Sequence, residues 1–143
     1  MLEETFGSRK PIIGMAHFRP LPGSPRYDAK GGVEAIVEAA AADIEELQAG
    51  GIDAVMFGNE GDRPYLLKAT PESLAAMASA VAALKPMIKV PFGVDYLWDP
   101  VATVALGVAT GARFPLHRGR KRRVAQLETP GNEGGKSTAR NLG

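Results

Sequence analysis

Apolar residues fall into short blocks separated by longer stretches with helical spacing. Pro11 to Met15 (PIIGM) reads as a short buried strand, with His17 just past its end. FRPLPGSPRY, which follows, is barred from regular structure by prolines that fix φ and remove donors. From Val33 to Leu47 the period changes: Val33, Ile36, Val37, Ala40, Ile44 and Leu47 form one apolar face, with Glu34, Glu38, Glu45 and Glu46 largely away from it. Gly50 and Gly51 supply a stop. IDAVMFG is a second strand, apolar on both faces, ending in the polar loop NEGDRPY. Thr70-Pro71 is a strong helix start, a capping oxygen followed by a proline in the first turn. Leu74, Met77, Ala78, Val81 and Leu84 carry that helix's apolar face, and Pro86 closes it. MIKVPFGV predicts a third strand. Asp99-Pro100 opens a third helix, in which Val101, Val104, Ala105 and Val108 are expected to face the core, and Gly111 ends it. ARF then begins a fourth strand.

The resulting order, βαβαβαβ with a repeat of about 35 residues, predicts a parallel sheet with right-handed crossovers. Periodicity leaves open whether that sheet is doubly wound or part of a closed (β/α)8 barrel. A complete barrel needs about 250 residues, so 143 residues hold about half of one. The chain has no cysteine, which excludes disulfides, thiol nucleophiles and cysteine-based metal sites. MLEETFGSRKPII lacks the basic start and apolar core of a signal peptide, and no run reaches the ~18 apolar residues of a membrane span. A cytoplasmic, soluble protein is expected. The net charge of +1 conceals an asymmetry: residues 1–114 hold 10 Lys/Arg against 14 Asp/Glu, and residues 115–143 hold 7 against 2.

Three motifs, KPIIGMAHFRPLPGSPRY, DAVMFGNEGDRPY and VPFGVDYLWDPVATVALGVATGARF, resemble the BtpA family. That family takes its name from a protein implicated in photosystem I biogenesis, and some relatives are labelled nucleosidases or sugar-related enzymes. The resemblance covers the first 114 residues and implies a TIM barrel like those of the ribulose-phosphate-binding superfamily, truncated here to about three and a half βα units. The expected organisation is an N-terminal arm (1–10), a partial barrel (11–114) and a basic tail (115–143). Family sequences continue after GARF with an apolar, then Gly-rich stretch. Here PLHRGRKRRVAQLETPGNEGGKSTARNLG stands instead, as a shifted reading frame in a GC-rich gene would produce; a true alternative C-terminus and a basic RNA-binding tail are the other readings.

Barrel chemistry sits at the C-terminal ends of the strands, where loops converge. His17, Glu60, Asp62 and Asp95 are the candidate catalytic residues at such positions, and Asn59 and Arg63 are candidate substrate ligands. His17 suits acid–base work near neutral pH. Asp95 suits a base or a sugar-hydroxyl ligand, although the resembling family often carries Asn there. The opposing reading makes these residues loop caps that hold FRPLPGSPRY and NEGDRPY together. Lys89, read as lying within the third strand, is a further candidate ligand for phosphate or a carbonyl. No metal-ligand spacing such as HExxH occurs, and no cofactor is implied.

The tail's GNEGGKST mimics a P-loop, but Pro130 occupies the place of the first glycine, and no strand precedes it. Arg118 to Arg123 would hold phosphate backbones without sequence specificity, since no aromatics interleave. The expected function is therefore action on a phosphosugar or nucleoside-like small molecule by the full-length parent, with this chain inactive alone. The alternative is a non-enzymatic assembly or stability factor for a membrane complex such as photosystem I. Open edges at the first and fourth strands predict self-association.

Overall fold

The computed structural model describes residues 2–115. Residues 116–143 lie outside them, and with them nearly all of the basic tail, including its P-loop-like and Arg-rich stretches. The elements run α1 (Leu2–Phe6), β1 (Ile13–His17), α2 (Gly32–Ala49), β2 (Ala54–Gly58), α3 (Pro71–Leu84), β3 (Phe92–Asp95), α4 (Pro100–Thr110) and β4 (Phe114–Pro115). A short 3-10 turn, Lys85–Met87, follows α3. All strand pairs are parallel, and their spatial order follows the chain, β1-β2-β3-β4.

That sequential order means the chain winds one way, with α2, α3 and α4 packed side by side on one face. Alternation along each strand then sorts the side chains. Ala16, Val55, Phe57, Phe92 and Val94 join Ile36, Ile44, Met77, Val81 and Leu106 of the helices in the main core. The opposite face carries Ala54, Met56 and Phe114, which cluster with Phe6 of α1. Phe6 and Phe114 meet edge to face at 4.9 Å. Segment 1–10 was expected only as an arm; the structure shows within it a helical turn whose phenylalanine is buried on the helix-free face.

The helix boundaries follow from capping chemistry. Thr70 is extended, and its hydroxyl accepts from the Ser73 N–H, with Pro71 in the first turn. Gly111 ends α4 at φ 74°, a left-handed conformation natural to glycine. Asp99 caps α4 more fully: Oδ1 accepts from the N–H groups of Val101 and Ala102, and Oδ2 from that of Ala69. Burial works against its ionisation. The donors from Ala102, Ala69 and Val101, with Lys68 nearby, outweigh that and hold the carboxyl below the usual range. A depressed folded-state value contributes stability above the unfolded value near ~3.9, which is lost as pH falls through the folded one. Asp99→Ala is expected to cost about 2 kcal/mol at neutral pH. Its acid-unfolding curve below pH ~4 should be shallower than that of the unaltered chain; an unchanged acid limb would exclude this role for Asp99.

Two expectations are corrected. Val101, Val104 and Val108 are exposed, the first at 78%, and Ala105 is exposed too; α4 instead buries Ala102, Thr103, Leu106, Gly107 and Thr110. The helix has no charged residue to mark a solvent face, so its apolar periodicity is ambiguous. Small residues win the inner side because they let α4 approach the sheet closely. Lys89 is not in β3. Register places Phe92 opposite Val55, so Lys89 falls below the start of β2, where its N–H bonds Gln48 Oε1 at 2.6 Å. Its exposed side chain lines an open depression with Lys85 and Arg113, at the end of the sheet away from His17.

Candidate functional site

At the C-terminal edge of the sheet the candidate residues separate onto two sides. His17 pairs in register with Gly58, and Gly58 with Asp95. By alternation all three lie on the helix-free face, because Ala16, Phe57 and Val94 beside them enter the helix-side core. Adjacent strands are about 4.8 Å apart, so His17 and Asp95 flank a gap of roughly 10 Å between their Cα atoms. Gly58 leaves the middle of that row open. A Cβ there would come no nearer than 3.9 Å to the His17 ring. His17 is exposed, whereas Asp95 is buried. An imidazole and a carboxylate thus lie on one face of the strand ends, with a glycine between them.

Asn59 and Asp62 lie on the other side. Asn59 Oδ1 accepts the Leu97 N–H at 2.7 Å, and its amide nitrogen donates to Asp62 Oδ2 at 3.1 Å. Asp62 Oδ1 accepts the Leu21 N–H at 2.7 Å. One chain of bonds therefore joins the loops that follow β1, β2 and β3. Burial pushes the Asp62 carboxyl up, against the opposing pull of the Leu21 and Asn59 donors. Gly61 completes the seam, its N–H bonding the Phe18 carbonyl.

Glu60 and Arg63 serve the same loop. The Tyr65 hydroxyl donates to Glu60 Oε2 at 2.8 Å and accepts from Arg63 Nε at 3.2 Å. Their polar ends are thus engaged within the segment, away from the His17–Asp95 row. Among the described residues no group of three or more His, Asp or Glu side chains is placed to hold a metal ion.

Three further residues at this edge carry no sequence pattern that singles them out. Tyr96 and Ser73 bury their hydroxyls 2.7 Å apart, tying the end of β3 to the start of α3. Burial, against the hydrogen bond with Ser73, raises the Tyr96 hydroxyl above its ordinary value. Their signal was position alone: Ser73 in the first turn of a capped helix, and Tyr96 one residue past a strand. Trp98 is half exposed and held at φ 69°, in a turn closed by the Asp99 N–H to the Tyr96 carbonyl. A bulky side chain in that conformation stores strain of about 1–2 kcal/mol.

A family model described as the BtpA family matches residues 8–117. The chain belongs to the BtpA family. The sgc region protein SgcQ of Escherichia coli (strain K12) is 50% identical over 113 residues, covering 79% of this chain and 42% of that protein. An uncharacterized protein of Thermococcus kodakarensis is 38% identical over 107 residues, covering 74% of this chain and 40% of its own. The photosystem I biogenesis protein BtpA of Synechocystis is 32% identical over 115 residues, covering 79% and 39%. The chain thus spans about two-fifths of the length of these BtpA-family relatives. No solved structure matches. Among the described residues no helix is long and apolar enough to cross a membrane.

Proposed function

We propose that this chain carries the first three and a half βα units of a (β/α)8 barrel, and that its BtpA-family parent acts on a phosphosugar or nucleoside-like small molecule. The observation that carries this reading is the His17–Gly58–Asp95 row, on the helix-free face at the C-terminal strand ends. In a closed barrel that face is the interior, and that edge is the mouth where catalysis occurs. The sequential strand order supports closure over a doubly wound sheet. So do the exposed Val101, Val104 and Val108, a stripe that a following helix would cover. His17 then exchanges a proton with the reacting group while Asp95 holds a hydroxyl. Trp98, on the loop just beyond Asp95, offers a flat apolar face to a ring.

Asn59 and Asp62 hold the loops in this scheme, and Glu60 and Arg63 shape the second loop. Phosphate sites of such barrels come from the loops after strands seven and eight. The family match ends at residue 117, in support of the reading that the coding frame shifts after Phe114. Nucleotide sequence downstream that encodes further βα units one base out of frame would establish it; the lack of any such frame would refute it.

The test of function is a screen of a full-length BtpA-family relative against ribosides and sugar phosphates. Turnover that falls by about 100-fold or more when the residue matching His17 becomes Ala is expected. The printed name of the Synechocystis relative supports a second reading, a factor for assembling a membrane complex. No turnover on any of these compounds, together with a stable complex with such a partner, would favour that reading instead.

A further inference from the structure

Tyr96, Ser73 and Asp62 border a cavity of about 140 Å³ on the helix side of the sheet edge. The loop after β1 closes it through Gly23, Ser24 and Pro25, and the loop after β2 through Asn59, Pro64 and Leu66. It lies behind the strand ends from the His17–Asp95 row, which does not line it. A cavity of about 150 Å³ holds a six-membered ring, so this one matches a single sugar ring or a short polyol in size.

The polar lining is rich in acceptors. Each Asp62 oxygen takes one N–H from the protein, leaving a lone pair on each for another donor. Ser73 Oγ and the Tyr96 hydroxyl share a hydrogen bond of 2.7 Å, and in either direction of that bond the Tyr96 oxygen keeps a lone pair able to accept. No Lys, Arg or His lines the cavity, so nothing there compensates a phosphate or carboxylate. Pro25, Pro64 and Leu66 supply an apolar wall. A sugar ring has the complementary arrangement, with hydroxyl donors at its edge and C–H groups on its face.

We propose that this cavity, between the loops after β1 and β2 and the start of α3, is a second binding site, specific for a neutral polyhydroxy molecule of one pentose ring or less. It is separate from the site of the proposed reaction and does not require that reaction to exist.

The test is titration of the isotopically labelled 143-residue chain with D-ribose, ribose 5-phosphate and ethylammonium, followed by amide chemical shifts. Ribose is expected to give saturable shifts at Ser24, Asn59 and Ser73, with ribose 5-phosphate and ethylammonium both weaker. Leu66→Trp fills the mouth from an exposed position and should abolish saturation. Tyr96→Phe removes one acceptor and should weaken binding about five- to tenfold. His17→Ala should leave the ribose titration unchanged. Absence of saturable shifts in the folded chain would overturn the proposal. So would tighter binding of ethylammonium or the phosphate ester, or ribose binding that survives Leu66→Trp and is lost in His17→Ala. That last result would place ribose at the His17–Asp95 row and leave the proposed function standing.

Discussion

Asn59→Ala is expected to lower the unfolding free energy by about 3 kcal/mol or more, among the largest losses available to a polar residue here. The side chain is 2% exposed and satisfies two other buried groups. Truncation strands the Leu97 N–H, which has been donating to Asn59 Oδ1 at 2.7 Å, and removes one of the donors on Asp62. Each orphaned group costs about 1–3 kcal/mol, more where it is charged. A domain of this size has only about 5–15 kcal/mol in total, so the variant should unfold at distinctly lower denaturant. Asn59→Asp separates the two roles. It keeps an acceptor for Leu97 but sets a second carboxylate against Asp62, 3.1 Å from where the amide donated. Its stability should be worse than that of Asn59→Ala at neutral pH and recover as acid protonates one member of the pair. Urea titrations at two pH values read both effects. A loss under about 1 kcal/mol for Asn59→Ala would mean that the three loops are held by something else.

The second large effect is expected at Gly61. A methyl group there would stand 2.6 Å from the Phe18 carbonyl oxygen, 2.7 Å from the Pro20 nitrogen and 2.8 Å from the Arg19 carbonyl carbon. All three are backbone atoms, so no rotamer change can relieve the contact. The loop is pinned besides: Phe18 N–H bonds the Gly58 carbonyl, and Leu21 N–H bonds Asp62. Gly61→Ala must therefore push the first two loops apart, at an expected cost of about 2–3 kcal/mol. Gly32→Ala is the control. It sits at φ 62° with nothing within 4 Å of the added carbon, so only the left-handed backbone is penalised, by about 1 kcal/mol. Thermal unfolding of the two variants should rank them in that order. Equal losses would show that the seam between the loops yields more readily than its geometry implies.

Local chemistry made much of this fold legible. Thr70-Pro71, Asp99-Pro100 and Gly111 mark helix ends through capping groups three residues or fewer away, and the structure places the boundaries there. The wholly buried β2 follows from an unbroken apolar run with no polar position to mark a solvent-facing side. Legibility failed where several surfaces compete for one stretch of sequence. The helix α4 is apolar all round, so periodicity could not say which stripe meets the core, and the choice falls to close packing of Ala102 and Gly107. Lys89 sits in an apolar run that looks like strand, but strand register with β2 decides where β3 begins. At the candidate site, the sequence offered the residues without their partition. His17, Asn59, Asp62 and Asp95 all follow strands, yet one residue of register separates the row on the helix-free face from the bonds that clasp the loops. Ser73 and Tyr96 escaped notice because their pairing spans 23 residues and leaves no local pattern.

That partition is the central claim, and one paired measurement tests it most directly. In a full-length BtpA-family relative with measurable turnover, the residues matching His17 and Asn59 are each replaced by Ala, and kcat and the unfolding midpoint are read on both variants. The His17 variant is expected to lose about 100-fold or more in kcat with its midpoint nearly unmoved. The Asn59 variant should instead lose stability by about 3 kcal/mol, and the fraction still folded should keep most of its kcat. A His17 variant that unfolds early with full activity per folded molecule, or an Asn59 variant that is stable but inactive, would contradict it.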